Sequence, residues 1–259
     1  MTIGPRVYLL DIEGTTSPVS VVSEQLFPYA RKHLEAYLRD HWSEAETQAD
    51  LSLLIEENRL ESDEKQILRF AQDHKISAQD DKASGIGEQS IAETEIDSVI
   101  AYLLWLMDRD RKSTALKSLQ GRIWKSGYEA GELVGTVFPD VAEAFERWSK
   151  TAKVAIYSSG SVEAQKLIFR YSSAGDLTPF ISAYFDTRTG AKTSPASYRA
   201  IAEQVQAAPK AILFISDLAR ELDPAREAGC LTRLSVREGN QPVPDVKGHT
   251  AIQSFAEID

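Results

Sequence analysis

Asp11 and Glu13 stand two positions apart in the run DIEGTT. In an extended segment, residues two apart share a face, so both carboxylates point the same way. Gly14 follows and permits a sharp turn with exposed amides, a setting that favours an anion. Three other segments carry reactive groups: Ser158 and Ser159 in VAIYSS, Lys192 in GAKTSPASY, and Asp217 with Glu221 in ISDLARELD. Carboxylates, hydroxyls and one ammonium gathered in one crevice would suit a divalent cation and a phosphate. Each segment alone also has a plainer reading. DIEGTT can be an acidic strand-to-loop junction with Thr-rich turn chemistry, and Lys192 a solvated surface lysine. Chemistry requires a fold that brings four distant segments together.

The elements around these residues predict such a fold. VYLLD (Val7–Asp11), VAIYSS (Val154–Ser159) and AILFISD (Ala211–Asp217) are short apolar runs ending in polar or acidic residues. Such runs suit strands buried on both faces of a parallel sheet. AYFD (Ala183–Asp186) and LTRLSV (Leu231–Val236) extend the alternation. Helical spacing lies between them: Leu167, Ile168 and Tyr171 within Val162–Tyr171, and Arg220–Ala228 ending at Gly229 as a C-cap. The pattern predicts an α/β fold, a doubly wound, Rossmann-like parallel sheet. Open sheets of this kind bind ligands at the carboxyl ends of their strands. That edge carries Asp11, Ser158, Ser159 and Asp217, with Lys192 in a loop after another strand.

From about residue 20 to 130 no strand pattern appears. Leu26, Ala30, Leu34, Tyr37 and Leu38 mark one amphipathic helix, Ile96, Val99, Ile100, Leu103 and Leu104 a second, and Leu116, Leu119 and Ile123 a third. The predicted organisation is a core of residues 1–18 and 133–259 with an all-helical domain, 19–132, inserted after the first strand. Ser77–Ser90 is polar and without periodicity, and is predicted to be a loop. Its Gly85-Ile86-Gly87 follows no strand and lacks a third glycine, so it is not read as a nucleotide-binding turn.

Composition narrows the classes. The 259 residues are 42% apolar and 26% charged, ordinary globular usage. Lys and Arg number 29 against 39 Asp and Glu, for a net charge of −10, which argues against a nucleic-acid partner. The imbalance is local: Asp40 to Asp97 holds 16 acidic and 5 basic residues, and everything else is nearly neutral. An anionic substrate would be repelled by an acidic crevice, so these acids are expected to face solvent. The single Cys230 excludes an intrachain disulfide framework and is read as a small apolar filler beside a strand. The longest apolar run, Val99–Met107, is about half of what a membrane-spanning helix needs. No export signal is visible in MTIGPRVYLLD. A cytoplasmic monomer without membrane contact is expected. His33, His41, His74 and His249 form no spaced ligand set.

The order, strand context and spacing of the four segments resemble the motifs of the haloacid dehalogenase superfamily. Its phosphatases open with a strand and Asp-x-Asp-Gly-Thr. Ser158 then looks like the second motif, Lys192 like the third, and Asp217 with Glu221 like the acidic fourth. Glu13 departs from the usual Asp. LDIEGTT, together with YSSGSVEAQKLIF, LKSLQGRIWKSGY, and RELDPAREAG followed by TRLSVREGN, resembles the enolase-phosphatases of methionine salvage, from about Tyr8 to Asn240.

The resemblance implies Mg²⁺-dependent enolisation and dephosphorylation of 2,3-diketo-5-methylthiopentyl-1-phosphate, a small-molecule phosphate ester. The product is the acireductone 1,2-dihydroxy-3-keto-5-methylthiopentene. Asp11 is the implied nucleophile, forming an aspartyl-phosphate. The implied Mg²⁺ ligands are Asp11, the backbone carbonyl of Glu13, and Asp217. Glu13 is the general acid and then the base, which at neutral pH needs a raised pKa from partial burial or from Asp11. Its extra methylene over Asp is expected to serve the enolisation too. Ser158, Ser159 and Lys192 would bind the substrate, with Ser158 and Lys192 on phosphoryl oxygens. Glu221 either steadies the metal site from behind or is simply an acid at a helix start. The inserted helices would form a cap that excludes water. Lys125 and Tyr128 are candidates for substrate recognition there, whereas Ile123 and Trp124 belong to the cap's own core.

Four other readings compete. A serine hydrolase built on Ser158-Ser159-Gly160-Ser161 lacks Gly-x-Ser-x-Gly and a suitably placed His. A dehalogenase proper needs no metal, and Glu13 and Asp217 both speak against it. A non-catalytic protein on the same fold predicts a damaged site. A generic Mg²⁺-dependent small-molecule phosphatase differs in substrate alone.

Overall fold

The computed structural model describes residues 4–60, 88–242, 246 and 248–258. In chain order the elements are β1 (Val7–Leu10), a π-helical turn (Val21–Leu26), α1 (Phe27–His41), α2 (Ala45–Arg59), α3 (Glu88–Asp108), α4 (Thr114–Glu129) and α5 (Val141–Ser149). There follow β2 (Lys153–Tyr157), α6 (Val162–Arg170), β3 (Ile181–Phe185), α7 (Pro195–Gln204), β4 (Ile212–Ser216), α8 (Ala219–Glu227), β5 (Leu231–Ser235) and β6 (Thr250–Ile252). Among the described residues the strands form one parallel sheet in the order β3-β2-β1-β4-β5-β6. The strand order reverses beside β1, where such folds open a ligand crevice.

β1 lies at the centre and every residue in it is buried, hence its unbroken apolar sequence. Its two faces take different partners. Val7 and Leu9 join Tyr198, Ile201, Leu222 and Ala225 from α7 and α8. Tyr8 stacks on Trp148 of α5 at 4.1 Å between ring centroids, and Trp148 in turn meets Phe255 at 5.2 Å. Cys230 packs into the first of these clusters, and burial pushes its thiol up to about 11. Local signals end the helices as expected. Ser161 caps α6 by accepting from the Ala164 amide at 3.2 Å, and Gly229 takes φ +94° just after α8.

Two compact units divide the chain. One comprises Met1–Leu26 with Gly127–Asp259, the other Phe27–Ser126. Within the helical unit, Leu34, Leu38, Leu54, Leu103, Leu119 and Ile123 build the core, with Trp124 partly buried against it. The end of α4 goes with the sheet unit, where Tyr128 is buried and stacks on Tyr171 at 5.6 Å. No helix among the described residues is long and apolar enough to cross a membrane.

Three expectations change. The loop predicted for Ser77–Ser90 lies outside the described residues up to Gly87, and from Glu88 the chain is already helical. The acids of Asp40–Asp97 do not all face water: Asp50 is 6% exposed and pairs with the partly buried Arg122 at 2.7 Å. Asp40, Glu44, Glu46, Glu56 and Asp97 are exposed. The third change is β6, which the sequence did not announce.

Candidate active site

The chain leaves β1 through a tight loop. The Ile12 carbonyl accepts from the amides of Thr15, Thr16 and Ser17 at 3.2, 2.9 and 2.9 Å. Gly14 sits at φ +66°, a region that disfavours side chains. A Cβ there would stand 2.6 Å from Asp217 Oδ2 and 2.8 Å from Asn240 Oδ1. Ser235 Oγ and Asn240 Nδ2 both donate to the Gly14 carbonyl at 2.9 Å, so the far end of the chain clamps the turn that carries Glu13.

Strand register sets the rest. Leu10 lies beside Ile156 of β2 and Ile215 of β4, which places Asp11, Ser158 and Asp217 along one edge of the sheet. Asp11 is 5% exposed. Its Oδ1 accepts from the Ile12 amide at 2.7 Å and pairs with Lys192 Nζ at 2.7 Å. Lys192 Nζ also meets Glu221 Oε2 at 2.6 Å. Ser216 Oγ stands between the two acids, 2.9 Å from Glu221 Oε2 and 3.3 Å from Asp11 Oδ2. The Lys192 backbone is tethered as well, because the buried Tyr198 hydroxyl is shared between the carbonyls of Lys192 (2.7 Å) and Glu221 (2.9 Å).

The charges perturb one another. Burial draws the Lys192 ammonium down, but Asp11 and Glu221 outweigh it, and the net shift is upward, so the side chain stays charged. Burial raises the Glu13 carboxyl above its ordinary range, Asp11 and Glu221 raise it further, and Lys192 opposes them. Burial also lifts Asp217, to about 7, with Asp11 and Glu221 adding and Lys192 subtracting. Glu221 moves upward for the same reasons, burial first and then Asp11.

Four carboxyl groups, Asp11, Glu13, Asp217 and Glu221, therefore answer to one ammonium, and the site is short of positive charge. Oxygen donors around a glycine that leaves room beside Asp217 suit Mg²⁺, which takes few protein ligands and keeps water or phosphate oxygens. Among the described residues no three His, Cys, Asp or Glu side chains form a ready cage. Asp11 and Asp217, at the ends of adjoining strands, offer carboxylate oxygens of the kind this ion takes.

At the β2 end, Ser158 is 5% exposed, its amide donates to the Phe185 carbonyl at 3.1 Å, and its Oγ accepts from the Gly160 amide at 3.2 Å. Ser159 is exposed. The structure thus brings Asp11, Lys192 and Glu221 into direct contact and puts Glu13 and Asp217 within their electrostatic reach. Ser158 and Ser159 lie on the same sheet edge through register alone. Lys125 is exposed, and Tyr128 is buried with its hydroxyl pushed upward by burial. His249 bridges Thr232 Oγ1 (2.8 Å) and Asp223 (3.1 Å) as a buried structural histidine. Sequence reasoning passed over Ser216, Asn240 and Tyr198. Ser216 had one available signal, a hydroxyl directly before Asp217 at a strand end; neutral Asn240 and Tyr198 had none.

The sequence profile of haloacid dehalogenase-like hydrolases matches residues 5–229. A protein named enolase-phosphatase E1 from Synechococcus elongatus is 48% identical over 251 residues, 96% of each chain. One of the same name from Pseudomonas fluorescens is 40% identical over 98% of this chain and 97% of its own. Among solved structures, the UTR4 protein of Saccharomyces cerevisiae superposes with a TM-score of 0.71 at 31% identity, covering 98% of this chain and 100% of that one.

Proposed function

Since the chain belongs to the enolase-phosphatases within the haloacid dehalogenase-like hydrolases, we propose that Asp11 is the nucleophile and Glu13 the proton carrier of its reaction. The protein is an enolase-phosphatase of methionine salvage, a phosphoric monoester hydrolase. Its substrate is the small phosphate ester 2,3-diketo-5-methylthiopentyl-1-phosphate and its product the acireductone. The observation that carries the residue assignment is the 2.7 Å pair between Lys192 Nζ and Asp11 Oδ1 at a strand's carboxyl end.

The pair fixes one oxygen of Asp11 and leaves Oδ2 with a single 3.3 Å contact, the freer oxygen to attack phosphorus. As the Oδ2–P bond forms, the ester P–O bond breaks, and Glu13 gives its proton to the departing alkoxide. Glu13, now ionised, takes a proton from water, whose oxygen attacks phosphorus, releases phosphate and restores Asp11. Burial and the neighbouring Asp11 shift the Glu13 carboxyl upward, the direction that favours the protonated form used in the first step. Ser158, Ser159 and Lys192 hold phosphoryl oxygens as charge shifts onto them. Asp11, the Glu13 carbonyl and Asp217 would hold Mg²⁺, whose charge lets an anionic carboxylate approach an anionic phosphate. In the enolisation that comes first, Glu13 moves a proton along the carbon chain, helped by its reach beyond the β1 loop. The helical unit Phe27–Ser126 serves as the family's inserted cap. The protein works as a cytoplasmic monomer, a reading supported by its acidic net charge and lone buried thiol.

An ultraviolet time course on the diketo-phosphate, with and without Mg²⁺, tests this reading. An enol species followed by acireductone is expected, in the presence of Mg²⁺. Phosphate release without the enol phase would instead assign a generic phosphatase. Asp11→Asn is expected to abolish phosphate release and keep the native circular dichroism spectrum; retained turnover would remove the aspartyl-phosphate step.

A further inference from the structure

Ser158 and Ser159 sit on a short irregular segment between β2 and α6, so something outside that segment must hold their hydroxyls in place. Gln165, on the first turns of α6, is 1% exposed. Its side-chain Nε2 donates to the Gly160 carbonyl at 2.9 Å and to the Phe185 carbonyl at 2.9 Å, which uses both of its hydrogens. The Phe185 carbonyl, at the end of β3, also accepts the Ser158 amide at 3.1 Å. The Phe185 carbonyl thus holds the Ser158 end of the segment directly and the Gly160 end through the buried Gln165 amide.

The other half of the same amide argues that this tie is why Gln165 is there. Its Oε1 is buried and has no hydrogen-bond partner. A buried orphan acceptor is destabilising, and an apolar side chain of the same length would fill the space without it. Asn would be one methylene short of spanning both carbonyls, and Glu would set carboxylate oxygens against them.

We infer that Gln165 is a positioning residue of the phosphoryl site, setting the Ser158 and Ser159 hydroxyls for phosphate oxygens through its clamp on the Gly160 and Phe185 carbonyls. The inference rests on the reading of Ser158 and Ser159 given above. Its signature is specific: loosening the clamp weakens the grip on phosphate, while Asp11, Glu13 and Lys192 keep their own supports.

The test is steady-state kinetics of Gln165→Met on the diketo-phosphate with Mg²⁺, with inorganic phosphate as product inhibitor. KM and the phosphate inhibition constant are expected to rise together by about tenfold, the scale of one net hydrogen bond, with a much smaller change in kcat. A merely structural role would lower thermal stability and the active fraction, hence apparent kcat, and leave KM and phosphate inhibition alone; that result overturns the inference. Should Gln165→Met not fold, Gln165→Asn, which keeps an amide of shorter reach, is expected to show the same split, and normal constants in it overturn the inference equally. A cycle with Ser158→Ala separates the two layers. If Gln165 acts through Ser158, the double variant should be little worse than Ser158→Ala alone, and full additivity counts against it. If Ser158→Ala leaves both constants unchanged, the assignment of Ser158 falls, and Gln165 is judged on its own variants through Ser159 and the loop amides.

Discussion

Lys192 Nζ lies 2.7 Å from Asp11 Oδ1 and carries the positive charge that two buried acids share, since Glu221 Oε2 approaches it at 2.6 Å. Lys192→Met should therefore do two separable things. Turnover should fall by about 10²- to 10³-fold, as when one stabilising donor to a transition state is removed. Thermal stability should fall as well, because Asp11 and Glu221 are left buried without a counter-charge. Adding Glu221→Gln removes one of the two unpaired acids and should recover part of the melting temperature while leaving turnover low. If stability and activity recover together, Lys192 is a structural tie and not a phosphate ligand.

Glu13 supplies the pH test. Burial, then Asp11 and Glu221, raise its carboxyl, so the protonated form persists above the usual carboxylate range. With Glu13 as the proposed donor to the leaving alkoxide, kcat for dephosphorylation is expected to fall as pH rises through the Glu13 pKa. Glu13→Gln should lose this limb and about 10²- to 10⁴-fold in rate on the alkyl phosphate. The loss should be much smaller on an aryl phosphate, whose leaving group departs without protonation. Glu13→Asp, assayed on each half-reaction, should impair enolisation more than dephosphorylation; equal effects would show that the longer side chain has no separate role there.

The sequence disclosed the charged part of this site and little of its neutral scaffold, for reasons visible in individual residues. Asp11, Glu13, Lys192 and Asp217 stand out because each ends or follows an apolar run, and strand order does the rest. Ser216, Asn240 and Tyr198 act through single hydrogen bonds to groups remote in sequence, and no spacing marks them. Elements followed the same logic. β1 to β5 were visible as apolar runs, whereas β6 has three residues, two of them exposed. α2 was missed because its buried face includes Thr47, Asp50 and Asn58 beside Leu51 and Leu54, which breaks the apolar stripe. Asp50 looked like one more solvated acid until Arg122, in a different helix, supplied its partner.

Gly14 should tolerate no side chain. At φ +66°, with Asp217 Oδ2 and Asn240 Oδ1 within 2.8 Å of the Cβ position, Gly14→Ala combines backbone strain with displacement of a proposed metal ligand. Gly131 is the matched control: its φ is +73°, and nothing lies within 4 Å of its Cβ position. Gly131→Ala should cost about 1 kcal/mol of stability through backbone strain alone and leave activity intact. Gly14→Ala should lower stability further, weaken the Mg²⁺ dependence of turnover and slow phosphate release. Equal behaviour of the two variants would place the steric role of Gly14 in doubt.

Asp140 links stability to pH through side chains that take no part in the proposed reaction. Its Oδ2 accepts from Arg237 Nη1 at 2.9 Å, from Ser254 Oγ at 2.9 Å and from the Phe255 amide. Burial works to raise this carboxyl, but the Phe255 amide and Arg237 outweigh it and hold it below the usual range. Arg237 is itself confined between the Phe138 and Phe255 rings, 4.7 and 4.6 Å from their centroids, with Nε and Nη2 buried and unpartnered. An acid whose folded pKa lies below its unfolded one stabilises the fold above the unfolded pKa of about 4. That contribution fades as pH falls toward the folded value. Asp140→Asn keeps the shape and removes the counter-charge of the buried Arg237, whose Nη1 keeps only the neutral Gln253 carbonyl at 2.8 Å as a further acceptor, so it should destabilise the protein by about 3 kcal/mol at pH 7. Denaturant melts of both proteins from neutral to acid pH should show the gap closing as pH drops below about 4, because the native carboxyl then takes up the proton that the variant never needed. A gap that stays constant across that range would mean that Asp140 contributes shape and hydrogen bonds but no charge.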